Sequence, residues 1–205
     1  LRVEAPGYEP SESRPFVDDE GDVTYDFKLV AGKTIVGRLI DEQSKPVVDA
    51  EVFVSSRSSN VSMQNGKSMF ATVSMKTVED GRFWVRPQGE PFAVFVFDRR
   101  GYAEATEEQL EKSPDVALQP WAAVEGQIVI GGKAGAGQTV VLEADRILGR
   151  AAGRAFYNLK TTADEEGRFR FLQAPPGEVV VSRELALEKG FTALRRKVYR
   201  VLAGQ

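Results

Sequence analysis

Apolar and polar residues alternate with a period of two in short runs along most of the chain, each run bounded by Gly, Pro, Asp or Asn. Val23, Tyr25, Phe27 and Leu29 fall on one side of an extended backbone and Thr24, Asp26 and Lys28 on the other, the pattern of a half-buried strand. Ile35 to Ile40, Val52 to Val54, Phe92 to Phe97, Val124 to Ile130, Thr139 to Leu142 and Val179 to Val181 are rich in β-branched and aromatic residues and predict further strands. Asp80-Gly81 and Glu166-Gly167 stand between such runs and predict tight hairpins, in which glycine supplies a positive φ. One short helix is expected within Ala105 to Lys112, ended by Ser113-Pro114.

The same series of signals occurs twice. Gly37 and Gly126 stand 89 residues apart, Gly81-Arg82-Phe83 and Gly167-Arg168-Phe169 86, Gly89 and Gly177 88, and Gly101-Tyr102 and Gly190-Phe191 89. An internal repeat of about 85 to 90 residues fits a seven-stranded sandwich with a turn every ~8 to 12 residues. Phe27-Lys28-Leu29-Val30-Ala31-Gly32 also parallels Tyr199-Arg200-Val201-Leu202-Ala203-Gly204. The chain therefore divides into a partial repeat, residues 1–32, and two complete ones, 33–120 and 121–205. The partial repeat holds the last two strands of a unit, with no partner sheet for its apolar face. It is expected to dock on residues 33–120 or to pair with a second chain through its open edge.

Composition narrows the chemistry. The 205 residues are 42% hydrophobic, enough for a sizeable core, yet no run approaches the ~18 apolar residues of a membrane-spanning helix. Charged residues make up 28% and are dispersed, with a net charge of -3, so neither a nucleic acid nor an anionic membrane is an expected partner. Histidine and cysteine are both absent, which removes the commonest general base, the commonest metal ligand and the thiol nucleophile. No catalytic residue, no metal and no cofactor is expected. No charged n-region or apolar h-region precedes the folded part, so the chain is expected to be a fragment with any signal or anchor outside it.

Ile35-Val36-Gly37-Arg38-Leu39-Ile40-Asp41, then Lys45-Pro46-Val47-Val48-Asp49-Ala50-Glu51-Val52-Phe53-Val54, then Thr77 to Phe83 and Gly101-Tyr102 form a recognisable series. It resembles the carboxypeptidase regulatory-like domain, and the resemblance runs through both full repeats. The resemblance implies an all-β fold of tandem seven-stranded immunoglobulin-like (prealbumin-like, or transthyretin-like) β-sandwiches. It also implies a place beside other domains in a secreted or cell-surface bacterial protein. Asp49 stands where that family prefers Gly, Gln88 where it prefers Pro, and Gly131 to Gly135 replace a family turn in the second repeat. Ser55 to Met75 is longer and more polar than the pattern requires, so a hairpin is expected to protrude there.

Trp84 and Trp121 are the candidate ligand-binding residues, since an exposed ring can stack on a sugar face. Trp84 follows Phe83 on one strand and must point to the opposite face; Phe83 and Phe169 are the expected core residues. Trp121 falls at the boundary between repeats and is expected to pack there as well. Tyr8, Tyr102 and Phe191 occupy equivalent places after Gly and predict a shared aromatic corner. Asp18-Asp19-Glu20-Gly21-Asp22 and Asp164-Glu165-Glu166 read as turns, and Arg195-Arg196-Lys197 as a solvated strand end. Gly131 to Gly137 lacks the lysine and following helix of a phosphate loop. An isopeptide bond, known in related bacterial surface sandwiches, would use Lys33, but no Asn stands on the matching last strand.

These readings converge on a non-catalytic spacer and interaction segment of a larger bacterial envelope or secreted protein, extracellular or periplasmic. Its partners would be other domains of the same polypeptide and a polysaccharide or protein. The alternative is a carbohydrate-binding module that uses exposed aromatics.

Overall fold

The computed structural model describes residues 1–70, 73–149, 153–186 and 192–204. The chain is all-β apart from one short helix. Two short strands, β1 (Arg2–Val3) and β2 (Ser11–Glu12), pair at the amino terminus. There follow β3 (Ile35–Ile40), β4 (Glu51–Ser56), β5 (Val61–Gln64), β6 (Lys67–Phe70), β7 (Val73–Lys76), β8 (Arg82–Val85), β9 (Phe92–Asp98) and β10 (Gly101–Thr106). Helix α1 (Glu107–Lys112) and strand β11 (Asp115–Ala117) complete the first repeat. Two sheets, β11-β3-β8 and β10-β9-β4-β7, enclose a core that includes Leu39, Val52, Val54, Phe83, Val94, Val96, Leu110 and Val116.

The helix begins two residues later than the first expected position, because Ala105 and Thr106 still pair with β9. Thr106 then caps it through a capping box with Gln109, and Ser113 ends it. Its only buried residue, Leu110, closes the first core.

The second repeat contributes β12 (Ala122–Gln127), β13 (Val129–Ile130), β14 (Lys133–Ala134), β15 (Thr139–Ile147), β16 (Arg154–Thr162), β17 (Arg168–Ala174), β18 (Gly177–Ala186) and β19 (Thr192–Val201). The expected strand from Val124 to Ile130 is broken at Ile128, whose N–H bonds Gly167 and whose carbonyl accepts from Gly135, outside the β12–β17 ladder. Strands β12 and β17 pair with each other. The larger sheet runs β19-β18-β15-β16-β5-β6, so its last two strands come from the first repeat. Strand β5 joins it by parallel pairing with β16, Val61 opposite Ala155 and Gln64 opposite Asn158.

The protruding hairpin is thus the seam of the molecule. Asn65 and Gly66 turn it with positive φ at both positions. Asn65 then locks it, accepting from the Lys160 N–H through its side chain and donating its own N–H to Asn158. Strands β4 and β9 are buried on both faces: Val52, Val54, Val94 and Val96 serve the first core, while Phe53, Ala93 and Phe95 join Val140, Leu142, Tyr157, Phe171 and Val179 in the second.

The two repeats share their turn chemistry. Gly37 lies opposite Phe83 in the β3–β8 ladder, as Gly126 lies opposite Phe169 in β12–β17, and each glycine leaves room for the facing ring. Asp80-Gly81 and Glu166-Gly167 turn the chain without making hairpins, since β7 and β8, like β16 and β17, cross from one sheet to another; Gly81 and Gly167 both have φ of 77°, and a Cβ on either would sit 2.5 Å from a carbonyl oxygen, that of Leu39 or of Ile128. Phe83 is fully buried, whereas Phe169 is half-buried at the margin of the second core. Asp49 has φ of 58°, in the left-handed region that glycine enters most freely.

Residues 23–30 depart from expectation. They form no ladder; Val23, Tyr25 and Val30 stay exposed, while Phe27 and Leu29 are half-buried and the Tyr25 ring packs on Phe27 and Phe16. The segment is fastened at its end, where Tyr8 bridges Ala31 and the Glu9 N–H donates to Val30. Gly32 packs on Pro87 and Gly89 on Pro10, so this base docks on residues 33–120.

Candidate functional site

Trp84 projects from β8 on the outer face of the three-stranded sheet and is 46% exposed, as the alternation with buried Phe83 and Val85 requires. Its cross-strand partner is Val36, and Arg82 stands two residues before it on the same face. Arg38 on β3 pairs with Asp115 at 2.9 Å and Arg82 with Asp80 at 3.3 Å, so ion pairs flank the ring. The result is one exposed indole beside Val36, flanked by two arginine–aspartate pairs.

Trp121 has a different setting. Its Nε1–H donates to the Asp98 carbonyl at 2.8 Å, and its ring stacks on Tyr157 at 5.5 Å and leans on Tyr102 at 5.9 Å. Phe97 continues the cluster, stacked on Tyr157 at 5.3 Å and 5.4 Å from Tyr102. Residues of both repeats therefore interleave at the boundary. The free edge of the indole borders an open groove of about 510 Å³ that Arg99, Lys160 and Arg170 also line. Arg170 is held by Glu125 at 2.5 Å and Lys160 by Glu184 at 3.2 Å.

Titration follows the packing. Burial, with help from the Glu104 carboxylate that accepts its hydrogen bond, pushes the Tyr102 phenol well above its ordinary range, and burial does the same to Tyr157. Burial also works against ionised Asp98, but hydrogen bonds from Arg100 outweigh it and the carboxyl lies below its ordinary value.

A cleft of about 710 Å³ lies between the amino-terminal strands and β4, lined among others by Arg2, Glu12, Ser56, Ser58, Gln88 and Glu90. Glu90 accepts from Ser56 Oγ at 2.6 Å, from the Ser58 N–H at 3.2 Å and from Ser58 Oγ, and these bonds lower its pKa. A carboxylate satisfied in this way is a weak base, and the Glu4 and Glu12 carboxylates are engaged by Arg2. Among the described residues no group of three His, Cys, Asp or Glu is placed to hold a metal ion.

No protein-family model matches the chain, and no curated protein matches it. Among solved structures, a streptococcal ancillary pilin is similar over 80% of this chain and 58% of its own, with 12% identity and a TM-score of 0.39. The chain thus spans less than two thirds of that pilin. At this score neither fold nor function is carried from one to the other.

The remaining candidates resolve as surface chemistry. Glu20 in the acidic turn is taken by Arg14, and Asp164 accepts from the Glu166 and Arg168 N–H groups. Lys33 is exposed and paired with Glu111 at 3.0 Å. Tyr102 is buried where its counterpart Tyr8 is 44% exposed, and Phe191 and Gly190 lie outside the described residues. The inter-repeat aromatic cluster was foreshadowed only at Trp121. Tyr157 was not, although Ala155-Phe156-Tyr157 carries a strand alternation. Among the described residues no helix is long and apolar enough to cross a membrane.

Proposed function

We propose that the chain is a non-catalytic, stiff pair of β-sandwich repeats of the carboxypeptidase regulatory-like type, acting as spacer and interaction segment in a larger bacterial envelope or secreted protein. Residues 33–120 and 121–205 are the two repeats and 1–32 the end of another. The observation that carries this reading is the seam: one sheet and one core draw on both repeats, so the joint resists bending. Because the chain has no cysteine, Glu42→Cys with Glu165→Cys introduces two labelling sites alone. Distances between spin labels at these exposed positions should form one narrow distribution. A broad one would overturn the stiff-spacer reading.

The exposure of Trp84 favours a second reading, carbohydrate binding at the exposed face of β8, with Trp121 bordering a separate groove. Glycan binding abolished by Trp84→Ala and kept by Trp121→Phe supports it; no binding by the parent removes it.

A further inference from the structure

We propose that Asn65-Gly66, the turn of the seam hairpin, is a site of self-modification. The Gly66 amide nitrogen closes on the Asn65 side-chain carbonyl carbon, ammonia leaves, and water opens the ring to aspartate or isoaspartate, the second of which releases the hairpin from β16. This does not rest on the spacer reading.

The first observation is an unengaged nucleophile. The chain has three asparagines, Asn60, Asn65 and Asn158, and only Asn65 precedes a glycine. Both turn residues are exposed, and a Cβ on Gly66 would meet nothing within 4 Å, so neither a side chain nor a neighbour obstructs the nitrogen. Within the turn the Asn65 N–H donates to Asn158 and Lys67 pairs with Gln64, while the Gly66 N–H has no partner among the described residues. Asp80-Gly81 could form the same five-membered ring, but there the Gly81 N–H donates to the Val78 carbonyl at 2.8 Å. Asn60 precedes Val61, which is β-branched and buried, and Asn158 lies inside β16.

The second is an activated electrophile. Asn65 Oδ1 accepts from the Lys160 N–H at 2.8 Å. A donor at that oxygen draws electrons from Cγ and meets the negative charge that gathers there as the nitrogen attacks. Hydroxide takes the Gly66 amide proton, the nitrogen bonds to Cγ, and the Cγ–Nδ2 bond breaks, Nδ2 leaving as ammonia with a proton from water. One water then adds to the ring. Cleavage of the bond between nitrogen and Cγ restores the ordinary backbone with aspartate. Cleavage of the bond between nitrogen and the α-carbonyl carbon leaves the chain running through Cβ and Cγ, one carbon longer, as isoaspartate. Neither path changes an oxidation state.

The third is where the product stands. Aspartate keeps an oxygen in the place of Oδ1 and still accepts from Lys160. Isoaspartate adds a backbone carbon to a two-residue turn with φ of 49° and 75°, which no longer fits the ladder geometry. Strand β5 then loses the register that sets Val61 to Gln64 beside Ala155 to Asn158, the pairing that carries the first repeat into the larger sheet.

The 205-residue protein, held folded in mildly alkaline buffer for weeks and then digested with trypsin, yields a peptide of residues 58–67 that carries both Asn60 and Asn65. Fragmentation should place the mass change of an amide becoming an acid at Asn65 and leave Asn60 unaltered, at a rate that rises about tenfold per pH unit because hydroxide takes the proton. Part of the product should resist a protease that cuts before aspartate, the mark of isoaspartate. Gly66→Ala, whose Cβ crowds the nitrogen, should slow the conversion about tenfold. The Lys160 amide should exchange its hydrogen roughly tenfold faster in the isoaspartate fraction than in the parent, and at the parent's rate in Asn65→Asp. No acid at Asn65, or conversion only once denaturant has unfolded the chain, overturns the site. An isoaspartate fraction whose Lys160 amide exchanges as the parent's does overturns the release.

Discussion

Phe83 and Phe169 occupy one place in two repeats, each facing a glycine across a ladder, but they do not bury the same surface. Phe83→Ala removes a fully enclosed ring and should cost ~3 to 5 kcal/mol by chemical denaturation, from lost transfer energy and the cavity left behind. Phe169→Ala removes a half-buried ring at a margin that can relax, and should cost roughly 1 to 2 kcal/mol. Equal losses would contradict the difference in packing. The Gly–Phe spacing was legible in the sequence because a close approach demands both residues at fixed offsets. The unequal burial was not, because it depends on what covers each ring. Asp98 gives a residue-scale prediction in pH. Its folded pKa lies below the ordinary value, so its ionised form stabilises the fold above that value, and the contribution fades as pH falls through the folded pKa. The melting temperature of Asp98→Asn should therefore fall below the parent's at neutral pH and meet it in strong acid. A gap that persists in acid would place the effect elsewhere.

At the scale of elements, the runs that read most clearly were those with one environment along their length. Ile35–Ile40 is such a strand, alternating buried and less buried positions against a single core. Phe92–Phe97 was legible as a strand, but its unbroken apolar run carried a further message, burial on both faces, that period-two reasoning does not use. The β5–β6 hairpin was legible as a protrusion. Its turn, found in the structure at Asn65-Gly66, uses the pair best suited to a two-residue hairpin. Its partner β16 was not legible, because parallel pairing between segments some 95 residues apart leaves no local trace. Residues 23–30 show the reverse case, a strand pattern without a ladder. Gly66→Val forces a branched side chain to a φ of 75° and should destabilise by about 1 to 3 kcal/mol. Hydrogen exchange should speed up on the Lys160 amide, which the hairpin holds, while Leu39 in the first core stays protected. Uniform acceleration across both sites would count against a local seam.

At the scale of the whole molecule, two repeats that share strands and a core should not unfold one after the other. Calorimetry should give a single transition with calorimetric and van't Hoff enthalpies equal, and Tyr157→Ala should lower it as one peak rather than split it. Two resolved peaks in the parent would show that the shared core couples the repeats weakly. The repeat period is silent on coupling, since it describes each unit and not the contact between them.

The seam also sets an order of events in time. The β5–β6 hairpin leaves the ribosome well before the strand that will receive it, for Asn65 and Lys160 are 95 residues apart. At synthesis rates of about 5 to 20 residues per second, that is a wait of roughly 5 to 20 s. During it the first repeat stands with Phe53 and Phe95 facing water and an unpaired β5 edge, a species prone to clump with its neighbours. The contact that stiffens the finished protein is therefore also its most exposed moment during synthesis, and slow translation across residues 71–153 prolongs that exposure.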